Sequence, residues 1–129
     1  MFISHGFSAS RSALLFATAL TACGAGASFE PTAAPPHPTS ARNPDSVALL
    51  DAPPTAAVAV EIGRMQADSG THAPTSDGKA EALAQLRMLA GQNGCDAIMI
   101  SEPTEELFAT SNGTPLYKTH QRAICFVNR

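Results

Sequence analysis

The segment KAEALAQLRMLAGQN, residues 79–93, is built of helix formers and contains no β-branched residue. Ala82, Leu83, Leu86, Leu89 and Ala90 fall on one face at helical spacing, while Lys79, Glu81, Gln85, Arg87 and Met88 lie outside that stripe or at its edge. A helix patterned in this way packs one side on a sheet. Asp77 or Gly78 can cap its start. Gly94 can take the left-handed conformation that ends it. Gly91 sits in the last turn, where glycine costs about 1 kcal/mol against alanine, and a close helix–strand contact would account for it.

Strand patterns flank the helix. Residues 46–51 (SVALLD) form a short candidate stopped by Pro53 and Pro54, and residues 55–67 (TAAVAVEIGRMQA) a longer one. In the longer one Val58, Val60 and Ile62 share a face by alternation, and Gly63 marks a bulge or a close approach. Residues 68–78 read as a polar loop. After the helix, residues 95–101 (CDAIMIS) and 117–128 (YKTHQRAICFVN) read as strands. Between them, Glu102, Glu105 and Glu106 occupy an exposed acidic connection that ends in the turn residues Ser111-Asn112-Gly113-Thr114-Pro115. The sequence thus predicts an α+β domain over residues 45–129. It has a small sheet of about four strands with one covering helix, in the order strand, strand, helix, strand, strand. The second and third strands, joined through the helix, make a right-handed crossover if they are parallel.

The whole chain has 129 residues, three cysteines, ten prolines, no tryptophan and a formal charge of −3. That length allows one domain. The weak, dispersed charge gives no reason to expect nucleic acid as a partner. No apolar run approaches the roughly 20 residues that span a bilayer.

Residues 1–22 read as a secretory signal, with Arg11 the sole positive charge of the leader, an apolar stretch over residues 12–19 (SALLFATA) and no acid before Glu30. Leu20-Thr21-Ala22-Cys23 follows at once and resembles the lipobox of bacterial lipoproteins. That resemblance implies that the leader is removed and that Cys23 carries the lipid. Each buried methylene contributes about 0.8 kcal/mol and one chain anchors only marginally, so two or three chains give firm attachment. Gly24, where an aspartate would favour the inner membrane, implies an outer-membrane location in the bacterial cell envelope. Residues 23–44 then read as the lipidated cysteine and a disordered Pro/Ala-rich linker. Five of the residues 24–44 are proline, and Phe29 is the sole large apolar one. Such a stretch buries too little to offset its ordering entropy and, at about 3.1 Å per residue, reaches roughly 60 Å at most.

Cys95 and Cys125 remain as a pair in an exported chain, where oxidation is favoured. If the last two strands form an antiparallel hairpin centred near Thr110, these two positions face each other, close enough to bond. A disulfide closing a loop of about 30 residues contributes about 3–4 kcal/mol in the loop-entropy model. The alternative is a redox-active pair, but such pairs sit close in sequence at a helix N-terminus, whereas Cys95 follows a helix C-terminus.

No other constellation carries chemistry. His72 and His120, with Glu61, Asp68 or Asp96, match no metal-ligand spacing, and both read as solvated, as does His37 in the linker. The acids after Pro103 read as a solvated face, and Asn112-Gly113-Thr114 reads as a turn and not a glycosylated sequon. No Gly-x-Ser-x-Gly motif or phosphate-binding glycine loop occurs. No catalytic residue, metal or cofactor is therefore assigned.

With these elements placed, residues 80–100 (AEALAQLRMLAGQNGCDAIMI) and Gln121-Arg122-Ala123-Ile124-Cys125 resemble the small α/β envelope domain of the Rcs stress-sensor lipoprotein and related lipoprotein domains. Cys125 matches a disulfide cysteine of that domain. Cys95 falls where it has a small apolar residue, so one disulfide replaces two. The resemblance implies a lipid-anchored, non-catalytic binding or sensing module with an envelope protein as partner. Its contact surface is expected on the sheet face opposite the helix or along the edge of residues 55–67. The competing readings are a small exported redox or hydrolytic enzyme and a purely structural surface lipoprotein.

Overall fold

A computed structural model of the chain describes residues 26–73 and 77–129. The expected signal peptide and the expected lipidation site, Cys23, lie outside the described residues. The elements are β1 (Gly26–Pro31), a 3₁₀ turn (Pro44–Ser46), β2 (Ala48–Leu50), β3 (Ala59–Asp68), α1 (Gly78–Gln92), β4 (Ala97–Ile100), β5 (Thr104–Ser111) and β6 (Thr114–Asn128). The class is α+β, with one helix on one mixed sheet. The sheet has six strands in place of about four, in the order β1-β3-β6-β4-β2, with β5 paired to the far half of β6.

The helix forms where its pattern places it. The Asp77 side chain accepts a hydrogen bond from the Ala80 N–H and caps the start. Gly94, at φ 71°, turns the chain out of the helix. Ala82, Leu86 and Ala90 form the fully buried stripe. Leu86 and Ala90 pack with Val47, Ile62, Met65, Ile98, Val127 and the cystine in one core on the helix side of the sheet. Strands β3 and β4 run parallel, since each is antiparallel to β6, but they are not neighbours: β6 lies between them. Its alternation buries Thr119, Gln121, Ala123, Cys125 and Val127 beneath the helix.

Three expectations are corrected. First, residues 24–44 are not wholly a free spacer. Gly26–Pro31 forms β1, antiparallel to β3, with Phe29 opposite Met65. Phe29 lies so tightly over Gly63 that a Cβ there would come within 2.2 Å of its ring. One aromatic side chain seated on a glycine, together with backbone pairing, offsets an ordering cost that composition alone makes prohibitive. The following residues strap the lower end of the domain. Arg42 N–H donates to the Gly91 carbonyl at 2.9 Å, and Arg42 also pairs with Asp96. Asp96 in turn accepts from the Asn128 N–H at 2.7 Å. The packed unit therefore takes in residues well before Asp45, and β3 is an interior strand, not a free edge.

Second, the acidic connection after Pro103 is a strand. Its backbone pairs with β6 from Thr104 opposite His120 to Ser111 opposite Thr114, although all eight residues are exposed. Together β4 and β5 make one interrupted arm of a long hairpin. Its turn is at Asn112 and Gly113, both with positive φ, the backbone that Asn-Gly favours.

Third, the hairpin is therefore not centred near Thr110, and Cys125 faces Ile98 on β4 and Gly63 on β3. The disulfide nevertheless joins Cys95 to Cys125, with Cα atoms 5.6 Å apart. Cys95 sits in the turn after α1 and drops onto β6 near that strand's C-terminal end from the helix side, so the bond staples two layers and not two facing strand positions. Both cysteines are fully buried.

Gly91 is explained by the strap and not by a strand. A Cβ at this position would stand 2.5 Å from the Arg42 carbonyl oxygen. Replacing a mid-helix glycine by alanine ordinarily stabilises by about 0.5–1 kcal/mol; Gly91→Ala should instead lower the denaturant midpoint, and a raised midpoint would show that the strap does not pack there. Leu86→Ala should cost about 2–5 kcal/mol. The same truncation at Met88, which is 48% exposed, should cost well under about 1 kcal/mol. Melts giving the reverse order would place the wrong helix face on the sheet.

Candidate functional site

The face of the sheet away from α1 carries the side chains that the core does not use. Arg64, Gln66 and Asp68 of β3 stand opposite Ile124, Arg122 and His120 of β6. Thr104 of β5 lies beside His120 on the other side, and Glu106 beside Lys118. Strand pairing thus brings Asp68, His120 and Glu106 together from three strands, Asp68 coming from a part of the chain far from the β5–β6 hairpin.

His120 bridges the two acids. Its Nδ1 meets Asp68 Oδ1, and its Nε2 lies 2.8 Å from Glu106 Oε2. Each ring nitrogen must donate to a carboxylate oxygen, so the geometry calls for the doubly protonated ring. The hydrogen bonds from Asp68 and then Glu106 hold its pKa above the ordinary 6.5, against a smaller opposing effect of burial. The histidine read as solvated is instead an ionic clasp between β3 and β5.

Beside the clasp is a depression of about 550 Å³ bounded by Gln66, Ser101, Thr104, His120 and Arg122. A second, of about 430 Å³, runs from Arg122 over Arg64, Met99 and Ile124. A third, of about 230 Å³, reaches Ser28 and Glu30 on β1. All three meet at Arg122, whose guanidinium has no hydrogen-bond or ion-pair partner among the described residues. The face is therefore a shallow surface with a cation at its centre, polar groups toward His120 and apolar groups toward Met99.

The other imidazole, His72, is buried. Its Nδ1–H donates to the Ala73 carbonyl at 2.9 Å, which leaves Nε2 to accept from the Thr119 hydroxyl at 3.0 Å. Thr119 N–H in turn donates to Ser69 Oγ. A hydroxyl on an imidazole is half of a nucleophile–base pair. Here Thr119 is fully buried, and the ring is oriented by a carbonyl and not a carboxylate. A Cβ on Gly78 would come within 2.4 Å of both side chains. The pair is a packed junction tying the loop after β3 to β6 and the start of α1. Among the described residues no group of three or more His, Cys, Asp or Glu side chains is placed to hold a metal ion.

The clasp has a pH signature. Because the folded pKa of His120 is raised, its stabilisation is complete below about pH 6.5, the unfolded value, and is lost as pH rises through the folded value. The stability difference between wild type and His120→Gln should therefore be larger at pH 5.5 than at pH 9. A difference independent of pH would remove the clasp. Glu106 is two-thirds exposed, so added salt should shrink the effect.

No protein-family model and no curated protein matches the chain. Among solved structures it is similar to the crystal structure of FvfA, a Francisella virulence factor, in its orthorhombic form. The TM-score is 0.54 at 13% identity, over 78% of this chain and 96% of that one. At that identity the likeness is one of fold: a small α+β arrangement of the same extent.

Proposed function

We propose that the protein is a lipid-anchored binding or sensing module of the bacterial cell envelope, and not an enzyme. The observation that carries the reading is Leu20-Thr21-Ala22-Cys23 directly after an apolar run, the arrangement that bacterial lipoproteins share. The buried disulfide fits an oxidising compartment, and the outer membrane is the location that Gly24 favours. The helix-free face around Arg122 is the surface offered to an envelope protein, with the unpaired guanidinium as its anchor point. Against the enzymatic alternative stand the burial of Thr119 with His72 and the closure of both domain cysteines in the core.

Expression in a lipoprotein-processing bacterium with labelled palmitate tests the anchor. Wild type should incorporate label and Cys23→Ser should not; equal labelling of both would end the proposal. For the binding face, a protein captured by wild type from detergent-solubilised envelopes should be captured at least about tenfold less by Arg122→Glu, the loss expected when truncating a contact worth over about 1.4 kcal/mol.

A further inference from the structure

We propose that β5, in the β5–β6 hairpin, makes a second membrane contact, with Leu107 and Phe108 entering the same lipid surface that holds Cys23. The inference rests on the proposed lipid anchor and adds what the fold does with it.

Three observations meet. Past His120 the hairpin stays tied to the body through the bridge between His72 and Tyr117, and β5 there exposes two large apolar side chains in succession, Leu107 at 59% and Phe108 at 56%. Among the described residues the other exposed large apolar groups stand singly and elsewhere, with Leu49 on β2, Met88 on the helix and Val58 at the opposite end of the sheet, beside Arg129. The two residues lie on β5, whose outer edge is free, at a register shift that sets Leu107 beside Tyr117 and Phe108 against Lys118.

The second observation is where the chain enters the fold. Gly26, the first residue of β1, pairs with Asp68, which pairs with His120. Strand β1 runs away from that end of the sheet, so its N-terminus opens toward the hairpin's end. Three peptide steps separate Gly26 from Cys23, a length of chain that spans at most about 11 Å. Leu107 faces Tyr117, three residues beyond His120, about 10 Å past the same level at the rise of a β-strand. A lipid on Cys23 and the two apolar side chains can therefore meet one plane. A tether of some 20 residues would leave the orientation open; three residues do not.

The third is the chemistry around the pair. Lys118 Nζ lies 4.1 Å from the centre of the Phe108 ring, so a cation is carried beside the aromatic group, as suits a side chain that reaches lipid phosphates while its stem lies on apolar surface. Tyr117 lies beside them, half-buried. Glu106, the nearest acid on the Lys118 side, is held by His120. One acyl chain alone anchors only marginally, and a second contact fixes the angle at which the helix-free face is shown to a partner.

The chain has no tryptophan, so Phe108→Trp and Leu107→Trp each carry a single fluorescent reporter, with Met88→Trp and Val58→Trp as controls. The chain from Cys23 onward is joined through that thiol to a maleimide lipid in phosphatidylethanolamine–phosphatidylglycerol vesicles with plain or brominated acyl chains. Cys95 and Cys125 are closed in their disulfide and do not compete. This anchor does not depend on natural acylation, so a failed palmitate experiment and a failed hairpin contact are told apart. Emission of the 107 and 108 reporters should move to the blue on attachment and lose most of its intensity over brominated chains, while the 58 and 88 controls change in neither respect. Equal emission from all four on both lipids would overturn the contact. A blue shift that appears without lipid and grows with protein concentration would also overturn it, because a second copy would then cover the hairpin.

Discussion

Strand β6 is the constraint on which the rest of the molecule depends. Three of the five strand pairings are made on its fifteen residues, with β3 along one side and β4 and then β5 along the other. Its alternation sends every second side chain from Thr119 to Val127 into the core beneath α1. A one-residue slip would carry Cys125, Ala123 and Val127 to the helix-free face and His120 and Arg122 into the core. The disulfide guards against that slip. It fixes Cys125 beneath the turn that ends the helix, a point set independently by Gly94 and the strap, so register and layer packing are determined together.

A core of this size buries a modest fraction of its chain, and the fold compensates by bringing other groups close against glycine backbone. Phe29 over Gly63, the Arg42 carbonyl over Gly91 and His72 over Gly78 each use a missing Cβ to close a gap that no side chain could fill. These contacts join segments that local pattern does not connect: β1 to β3, the strap to the helix end, and the loop after β3 to the helix start. They explain why segments 26–44 and 69–73, which look like spacer and loop, are ordered parts of the unit.

What was legible in the sequence follows the same division. The helix, the longer strands and the partnership of the two domain cysteines are written in local periodicity and in cysteine count, and they stand in the structure. The register of the disulfide was misjudged because Pro103 interrupts the hairpin without ending it, so a glutamate-rich strand reads as loop and the turn is set too early. The linker was misjudged because composition averages over 21 residues, while a strand needs only a few; Phe29 alone among prolines, with Gly63 inside a strand, was the available signal. The clasp was missed because Asp68, His120 and Glu106 become neighbours only through the pairing of three strands. Position 120 alternating with Lys118 and Arg122 marks an exposed face, and Asp68 at the end of β3 was the partner to look for.

The short distance from Cys23 to β1 changes what kind of partner the proposed module can meet. A domain on an extended spacer of some 60 Å samples a wide shell and can reach targets far from its membrane. A domain whose first strand begins three residues after its lipid stays at the bilayer surface, and its free motion is reduced to sliding and tilting in that plane. Local concentration toward membrane-embedded partners then rises, while distant partners are excluded by geometry and not by affinity. The helix-free face stands roughly perpendicular to the end of the sheet that bears β1's start and the hairpin. In the proposed anchored state that face is turned sideways along the membrane, toward proteins that rise from the same bilayer.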